Sequence, residues 1–318
     1  MLQGFEIAKS ANSNLPMLEY LEKGALRGVY LGFPELHEFY TMSTPGVTDW
    51  TGYPQSGKTE LLLELLLNTS KFYGWKHLLY VPDIGSKEET IALLLHKLTG
   101  KTFDKRYKSN LISENEVNSN IDWLLEHFII LYKTDEKSKM TPFEFWDFGV
   151  NLESEIKGGI QTMTIDSWKD MKHDRNLRDD QYLEDVLSYR NMIAEKYKKH
   201  IHTVIHPRGL SAEKKANGER KVPGPDHLKG GSEWWNNGKN IISVHRPEGE
   251  KNKVEIHIVK AKPKSVAKQG VANLFYDWVK SNYYWIDNQN QKRYAQKEYV
   301  NPLGVSLEVD EDDSEVPF

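Results

Sequence analysis

Gly52-Tyr53-Pro54-Gln55-Ser56-Gly57-Lys58-Thr59 spells the pattern G-x-x-x-x-G-K-[ST] in full. The pattern describes a phosphate-binding loop. Glycines leave room for successive backbone N–H groups to close around phosphate oxygens, a lysine reaches the outer phosphates, and a hydroxyl meets Mg²⁺. Gly52, Pro54, Gln55, Ser56, Gly57, Lys58 and Thr59 are therefore the expected binding residues for a nucleoside triphosphate. The flanks agree with this reading. Pro45-Gly46 precedes a strand-like run, Val47-Thr48-Asp49-Trp50, and a leucine-rich run from Glu60 to Leu67 continues as a helix whose N-terminus faces the anion.

Working outward, apolar runs alternate with stretches of helical spacing. Trp75 leads into a buried strand that is cut by Pro82 and ends in Asp83, and leucines at helical spacing from Lys87 to Leu98 stop at Gly100. Further strands are expected at residues 128–132, 161–166, 201–206, 241–245 and 254–259, with helices at 142–157 and 182–200 and a short one at 15–24. This alternation predicts a three-layer α/β fold. Trp234 and Trp235 read as packing anchors. Tyr283-Tyr284-Trp285 and Tyr294 read as a late surface strand or docking piece.

A triphosphate site of this kind needs a carboxylate at the end of a second strand for Mg²⁺, and Asp166 is the best placed, so Thr59 and Asp166 form the expected metal pair. Asp83, ending the strand after the loop's helix, is the candidate for orienting or deprotonating water. Glu88 and Glu89 are alternatives that also suit the first turn of a helix. His206 ends its strand ahead of Pro207-Arg208, where it is placed to sense the outer phosphate or a bound polymer.

Composition narrows the classes. The 318 residues carry a net charge of −4 and a pI near 6.3, so bulk charge does not mark a nucleic-acid binder, although a channel can be basic inside an acidic exterior. The absence of cysteine removes disulfides, thiolate metal sites and cysteine catalysis together. No apolar run approaches the ~20 residues that span a bilayer, and the start lacks a signal-peptide pattern. A soluble cytoplasmic protein with no membrane contact is the expectation.

Several segments together carry a more specific likeness: the lead-in before the loop, Thr164-Ile165-Asp166-Ser167-Trp168, His206-Pro207-Arg208, the stretch from Asp226 to Trp235, and Lys260-Ala261-Lys262 before Lys268-Gln269-Gly270. Over roughly residues 20–285 the chain resembles the RecA-like C-terminal motor of DnaB-type replicative helicases, closest to the phage helicase-primase and Twinkle branch, without a fused primase. The resemblance implies a RecA-like P-loop NTPase sandwich with a mostly parallel central sheet. It also implies ATP with Mg²⁺, and a homo-oligomeric, usually hexameric, ring that encircles single-stranded DNA and moves 5′ to 3′. If the origin is a phage, the compartment is the bacterial host cytoplasm. Lys58 and Thr59 then bind phosphate and Mg²⁺, Asp166 is the acidic Mg²⁺ position and His206 the sensor. Asp83 stands where the family usually has a catalytic glutamate, one carbon shorter. Lys260 and Lys262 match a basic pair that reaches into the neighbour's site, with Lys262 at the arginine-finger position, and lysine lacks the planar fork of arginine.

On the same reading two loops line the ring. One begins near Lys169 and carries Lys172, His173, Arg175 and Arg178; the other, residues 211–229, carries Lys214, Lys215, Arg220, Lys221 and Lys229. Residues 308–318 form an acidic tail ending in Phe318, suited to recruiting a replisome protein. The expected division is a lead-in and subunit-docking segment over 1–44, the motor over 45–285, and an extension with the tail over 286–318. Two other readings stay open: a RecA-like recombination or loader ATPase, and a nucleotide-binding replisome scaffold with weak hydrolysis.

Overall fold

Short runs of β-branched and aromatic residues lie side by side in one ten-stranded sheet. The computed structural model describes residues 7–25, 27–135, 137–174, 176–208 and 220–297. Arg175, Lys214, Lys215 and the acidic tail therefore lie outside the described residues. The elements in chain order are α1 (Ser10–Lys23), α2 (Pro34–His37), β1 (Gly46–Thr51), α3 (Lys58–Tyr73), β2 (His77–Tyr80), α4 (Lys87–Thr99), α5 (Glu114–His127), β3 (Phe128–Ile130), α6 (Pro142–Leu152), β4 (Thr162–Asp166), α7 (Asp179–Tyr197), β5 (His200–Val204), α8 (Gly231–Asn237), β6 (Asn240–His245), β7 (Lys253–Lys260), β8 (Gly270–Asp277), β9 (Asn282–Ile286) and β10 (Lys292–Tyr294).

The strand order is β10-β9-β8-β7-β6-β1-β5-β4-β2-β3. The six strands from β6 to β3 run parallel, and β7 to β10 add an antiparallel wing. β1, β4 and β5 are buried at every position, as strands covered on both faces must be. β7 alternates buried and half-buried residues, because its sheet is covered on one face. One core gathers the leucines of α3 with Leu94, Leu124, Val204, Val244 and Ile256; a second, on the opposite face, gathers Phe145, Trp146, Met163, Ile165, Val186 and Ile193. The expected three-layer, mostly parallel α/β sandwich is thus the observed fold.

α3 is apolar nearly all round, since six leucines from Leu61 to Leu67 are all buried. Each stabilises the fold by roughly 1.5–3 kcal/mol. α4, α5 and α6 each open with a capping box, Ser86 with Glu89, Ser113 with Glu116 and Thr141 with Glu144. Glu89 is thereby occupied at the start of α4, and Glu88 is an exposed first-turn charge.

Between its parallel strands the sheet carries buried histidines. His200 bonds Thr48 at 2.8 Å and His77 bonds Thr162 at 2.8 Å, and burial holds both rings well below the usual imidazole range, to about 4 and about 3. These are neutral structural side chains rather than catalytic ones. Leu31, Phe33, Leu36, Tyr40 and Met42 belong to the main core and Tyr30 is buried beside them in sequence, so the segment before β1 is built into the domain rather than resting at its edge. Past residue 286 the sheet continues into β10, whose Arg293 pairs with Trp285. α1 is different: Leu15, Leu18 and Leu21 are exposed, Leu21 at 78%.

Candidate nucleotide site

The phosphate loop joins the C-terminal end of β1 to the N-terminus of α3. Its backbone takes positive φ at Gly52 (145°), Gln55 (63°) and Gly57 (95°). A Cβ on Gly52 would lie 2.3 Å from the Val244 carbonyl oxygen, and one on Gly57 would lie 2.6 Å from the Tyr283 hydroxyl, so both positions need glycine on steric as well as conformational grounds. Gly57 caps α3 without any side-chain acceptor, which leaves the first N–H groups of a 16-residue helix aimed into the loop. Among the described residues the buried Ser56 hydroxyl has no hydrogen-bond partner. Lys58 folds over the loop and donates to the carbonyls of Gly52 (3.1 Å) and Tyr53 (3.0 Å). Burial pulls its ammonium below the usual lysine range, and the carboxylates of Asp166 and Asp83 oppose that pull.

Thr59 donates a short hydrogen bond to Asp166 at the end of β4. Burial pushes the Asp166 carboxyl up to about 6; the Thr59 bond lowers it and the nearby Asp83 charge raises it. Asp83 lies just past β2, the next strand along. It accepts from Lys169 at 3.1 Å and from His206 at 3.1 Å. Burial alone would raise Asp83, but these two partners more than offset it and hold the group below the usual carboxylate range. Burial and the Lys58 charge keep His206 below the usual imidazole range. The strand ends after β1, β2, β4 and β5 therefore bring Lys58, Thr59, Asp83, Asp166 and His206 together, in agreement with their placement from sequence.

Three contacts that sequence reading missed hold the loop from its other side. Arg246, one residue past β6, donates to the Ser56 carbonyl at 3.2 Å and lies over the rings of Trp278 (4.8 Å) and Tyr276 (5.4 Å). Tyr283 donates to the Gly57 carbonyl at 3.1 Å, and Tyr53 to that of Lys221 at 2.9 Å. The late aromatic run is thus largely interior: Tyr283 and Trp285 join the main core and Tyr284 is buried. Lys169 was foreseen only as the start of a polymer-facing loop, and its engagement with Asp83 carries no motif.

Lys260 and Lys262 lie elsewhere. Lys260 aligns with Ile241, which aligns with Asp49, so Lys262 sits near the start of the strands whereas the phosphate loop sits at their end. At ~3.3 Å per residue the separation along the strands is about 15 Å, beyond the reach of a lysine side chain. Lys260 is buried, bonds the Trp235 carbonyl and lies 5.2 Å from that ring's centre. Lys262 is exposed and is fixed through its backbone N–H to Asn240 at 3.1 Å. Both line a cleft of ≈ 520 Å³ with Trp235, Lys264, Lys268 and Gln269. Trp234 is an interior anchor, edge-on to Trp168 at 5.2 Å, but Trp235 is 41% exposed and is not one. Of the expected polymer-facing residues, Arg178 pairs with Asp180, Lys229 with Asp179 and Arg220 with Glu248; His173 lies tilted against the Trp168 ring, and Lys172 is exposed.

A solved DnaB-like replicative helicase, studied with its interactions with primase, superposes with a TM-score of 0.70 at 16% identity over 86% of this chain and 68% of its own. The chain has the RecA-like ATPase fold of that protein. A solved isolated ATPase domain matches this RecA-like domain equally, with a TM-score of 0.70 at 16% identity over 87% of this chain and 99% of its own. The Twinkle homolog protein, chloroplastic/mitochondrial, of Arabidopsis thaliana is 25% identical over 264 residues, or 80% of this chain. The chain spans 36% of that relative's length. No protein-family model matches. No helix among the described residues is long and apolar enough to cross a membrane.

The loop fits a magnesium-bound triphosphate. Its glycines leave a cradle that a Cβ would fill, the Ser56 hydroxyl is unpartnered among the described residues, and Thr59 and Asp166 supply two hard oxygen donors. Among the described residues no cluster of three or more histidine and carboxylate side chains is placed to hold a metal alone. Phosphate and water oxygens complete such a shell in the usual way for Mg²⁺.

Proposed function

We propose that this RecA-like domain is the ATP-driven motor of a replicative DNA helicase, working as a hexameric ring of copies that encircles one DNA strand and moves 5′ to 3′. The observation that carries this reading is the convergence of Lys58, Thr59, Asp166, Asp83 and His206 at adjacent strand ends, in a chain similar to Twinkle over most of its length.

In this reading the α3 N–H groups and Lys58 bind the β- and γ-phosphates. Thr59 and Asp166 would hold Mg²⁺, which when bound would neutralise charge on the phosphate oxygens. Asp83, kept ionised by Lys169 and His206, orients the attacking water and accepts its proton as ADP leaves. His206 bridges that carboxylate to the strand end from which the second polymer-facing loop departs, so phosphate state and DNA grip share one residue. Lys262, exposed and too far from its own phosphate loop, supplies a cation to the neighbouring copy, while Lys260 is braced by Trp235 and positions the turn. The exposed leucines of α1 are the surface that docks on another copy. Residues 308–318 recruit a replisome protein by charge.

The same observations favour one second reading at a specific point. Asp83 is already engaged by the Lys169 ammonium and the His206 ring, and lysine stands at the finger position, as a nucleotide-binding scaffold with weak hydrolysis would allow. ATP hydrolysis with and without single-stranded DNA, measured alongside oligomeric size, separates the two. Strong stimulation is expected, falling at least ~10²-fold in Lys262→Ala and retained in Lys262→Arg. Intact assembly without stimulation in the natural chain supports the scaffold.

A further inference from the structure

Residues 101–108 form a loop between α4 and α5 that neither the nucleotide site nor the polymer-facing loops use. Lys101, Lys105, Arg106 and Lys108 oppose one carboxylate, Asp104, giving +3 on eight residues of a chain that is net acidic. Asp104 is spent within the loop, since Arg106 grips both its oxygens, at 3.0 and 2.9 Å from Nε. Lys101 pairs with Glu116 at 2.6 Å, which leaves Lys105 and Lys108 exposed. Between these cations two rings face solvent, Phe103 at 45% and Tyr107 at 47% exposure.

The rings stand on a fixed base. Thr102 donates to the Asn110 carbonyl at 2.9 Å and accepts from Ile112 at 3.0 Å, closing the loop as a bridge. The Asn110 side chain donates to the carbonyls of Gly100 and Val279, both at 3.0 Å. That last bond ties the loop to the β8–β9 turn, where Trp278 is 55% exposed beside Arg246. Large rings left exposed on a braced loop have an entropy cost of ordering already met by the fold, as a stacking platform requires.

We propose that this face binds single-stranded nucleic acid, with Phe103 and Tyr107 stacking on bases while Lys105 and Lys108 contact phosphates. Interleaved rings and cations fit a strand better than they fit a protein patch, because every base offers a π-face and every linkage a negative charge. The inference goes beyond the motor reading, since it requires a strand on the face between α4 and α5 and no hydrolysis.

The test is fluorescence anisotropy of a labelled oligothymidylate with the full chain, comparing Phe103→Ala/Tyr107→Ala and Lys105→Gln/Lys108→Gln with the natural protein. Loss of each stacked ring is expected to weaken binding roughly 5- to 150-fold, and the lysine pair to reduce the slope of log K against log salt by about 1.4, at ~0.7 per phosphate contact. Thermal melting and DNA-free ATP hydrolysis should be unchanged, and iododeoxyuridine crosslinks should map to Phe103 or Tyr107. Natural binding by the ring variant, or crosslinks confined to residues 169–178 and 220–229, overturns the proposal. So does a change in oligomeric size at unchanged DNA affinity, which would make the face a contact between copies. Strand binding that survives without any DNA-stimulated hydrolysis counts against the motor and leaves this face standing.

Discussion

Asp166→Asn is expected to lower kcat for ATP hydrolysis by ~10²–10³-fold while making the domain more stable. Both effects have one cause. The carboxylate is buried at the end of β4 with a single side-chain hydrogen bond, from Thr59, and burial pushes it up to about 6. Relative to an ordinary value of 3.8, holding that charge costs the fold on the order of 2–3 kcal/mol at neutral pH. Asparagine keeps the shape and a hydrogen bond to Thr59 but removes the charge. The sign of the pH dependence follows. A carboxyl raised by folding binds its proton more tightly in the folded chain, so the penalty is complete above pH 6, shrinks as pH falls through 6, and is gone below 3.8. Urea midpoints without Mg²⁺ should show the variant ahead at pH 7.5 and level with the natural chain near pH 4. Equal activity, or equal stability at pH 7.5, would remove Asp166 from the site.

Arg190→Met is expected to cost about 3–5 kcal/mol of stability. Arg190 of α7 is fully buried and grips Asp49 of β1 through both terminal nitrogens, at 2.5 and 3.3 Å, with Thr203 at 3.2 Å and the Trp234 ring 5.6 Å away. Burial raises Asp49, and Arg190 is the main group opposing that rise. Without the guanidinium the acid either stays charged and unpaired or takes up a proton, and both states are unfavourable in this interior. The double variant Asp49→Val/Arg190→Met should recover much of the loss, because it removes the stranded charge with its partner. Chemical denaturation of the three variants measures the coupling. A single Arg190 variant within 1 kcal/mol of the natural chain contradicts the pair's role.

The core of the site was legible in the sequence because a phosphate loop fixes its residues by local spacing, and because Asp83, Asp166 and His206 close strands whose apolar runs are visible. α5 was not foreseen, since Val117, Ile121 and Leu124 are its few inward residues in an otherwise polar stretch, although Ser113 with Glu116 marked its start. α8 begins at Gly231 within Gly230-Gly231, which reads as loop, and is made helical by Trp234 packing on Trp168 and α7. β8 was missed as well, because apolar Val271 and Phe275 stand on its outer face between buried Ala272, Leu274 and Tyr276 and blur the alternation. The expected helix at 142–157 stops at Leu152, where a single tight turn follows, and the expected strand at 128–132 is three residues long because β2 offers it only three partners. Arg246 and Lys169 were invisible for a different reason. Their roles come from distant strands meeting at one end of the sheet, which no local spacing records.

An ATP-driven motor of the proposed kind moves in one direction. Its most direct test is unwinding of a labelled forked duplex by the full chain with ATP and Mg²⁺, offering a 5′ tail, a 3′ tail or both, with Lys58→Ala as the control. Unwinding that requires the 5′ tail and disappears in the control is the predicted result. Unwinding from a 3′ tail alone, or undiminished in Lys58→Ala, would contradict it.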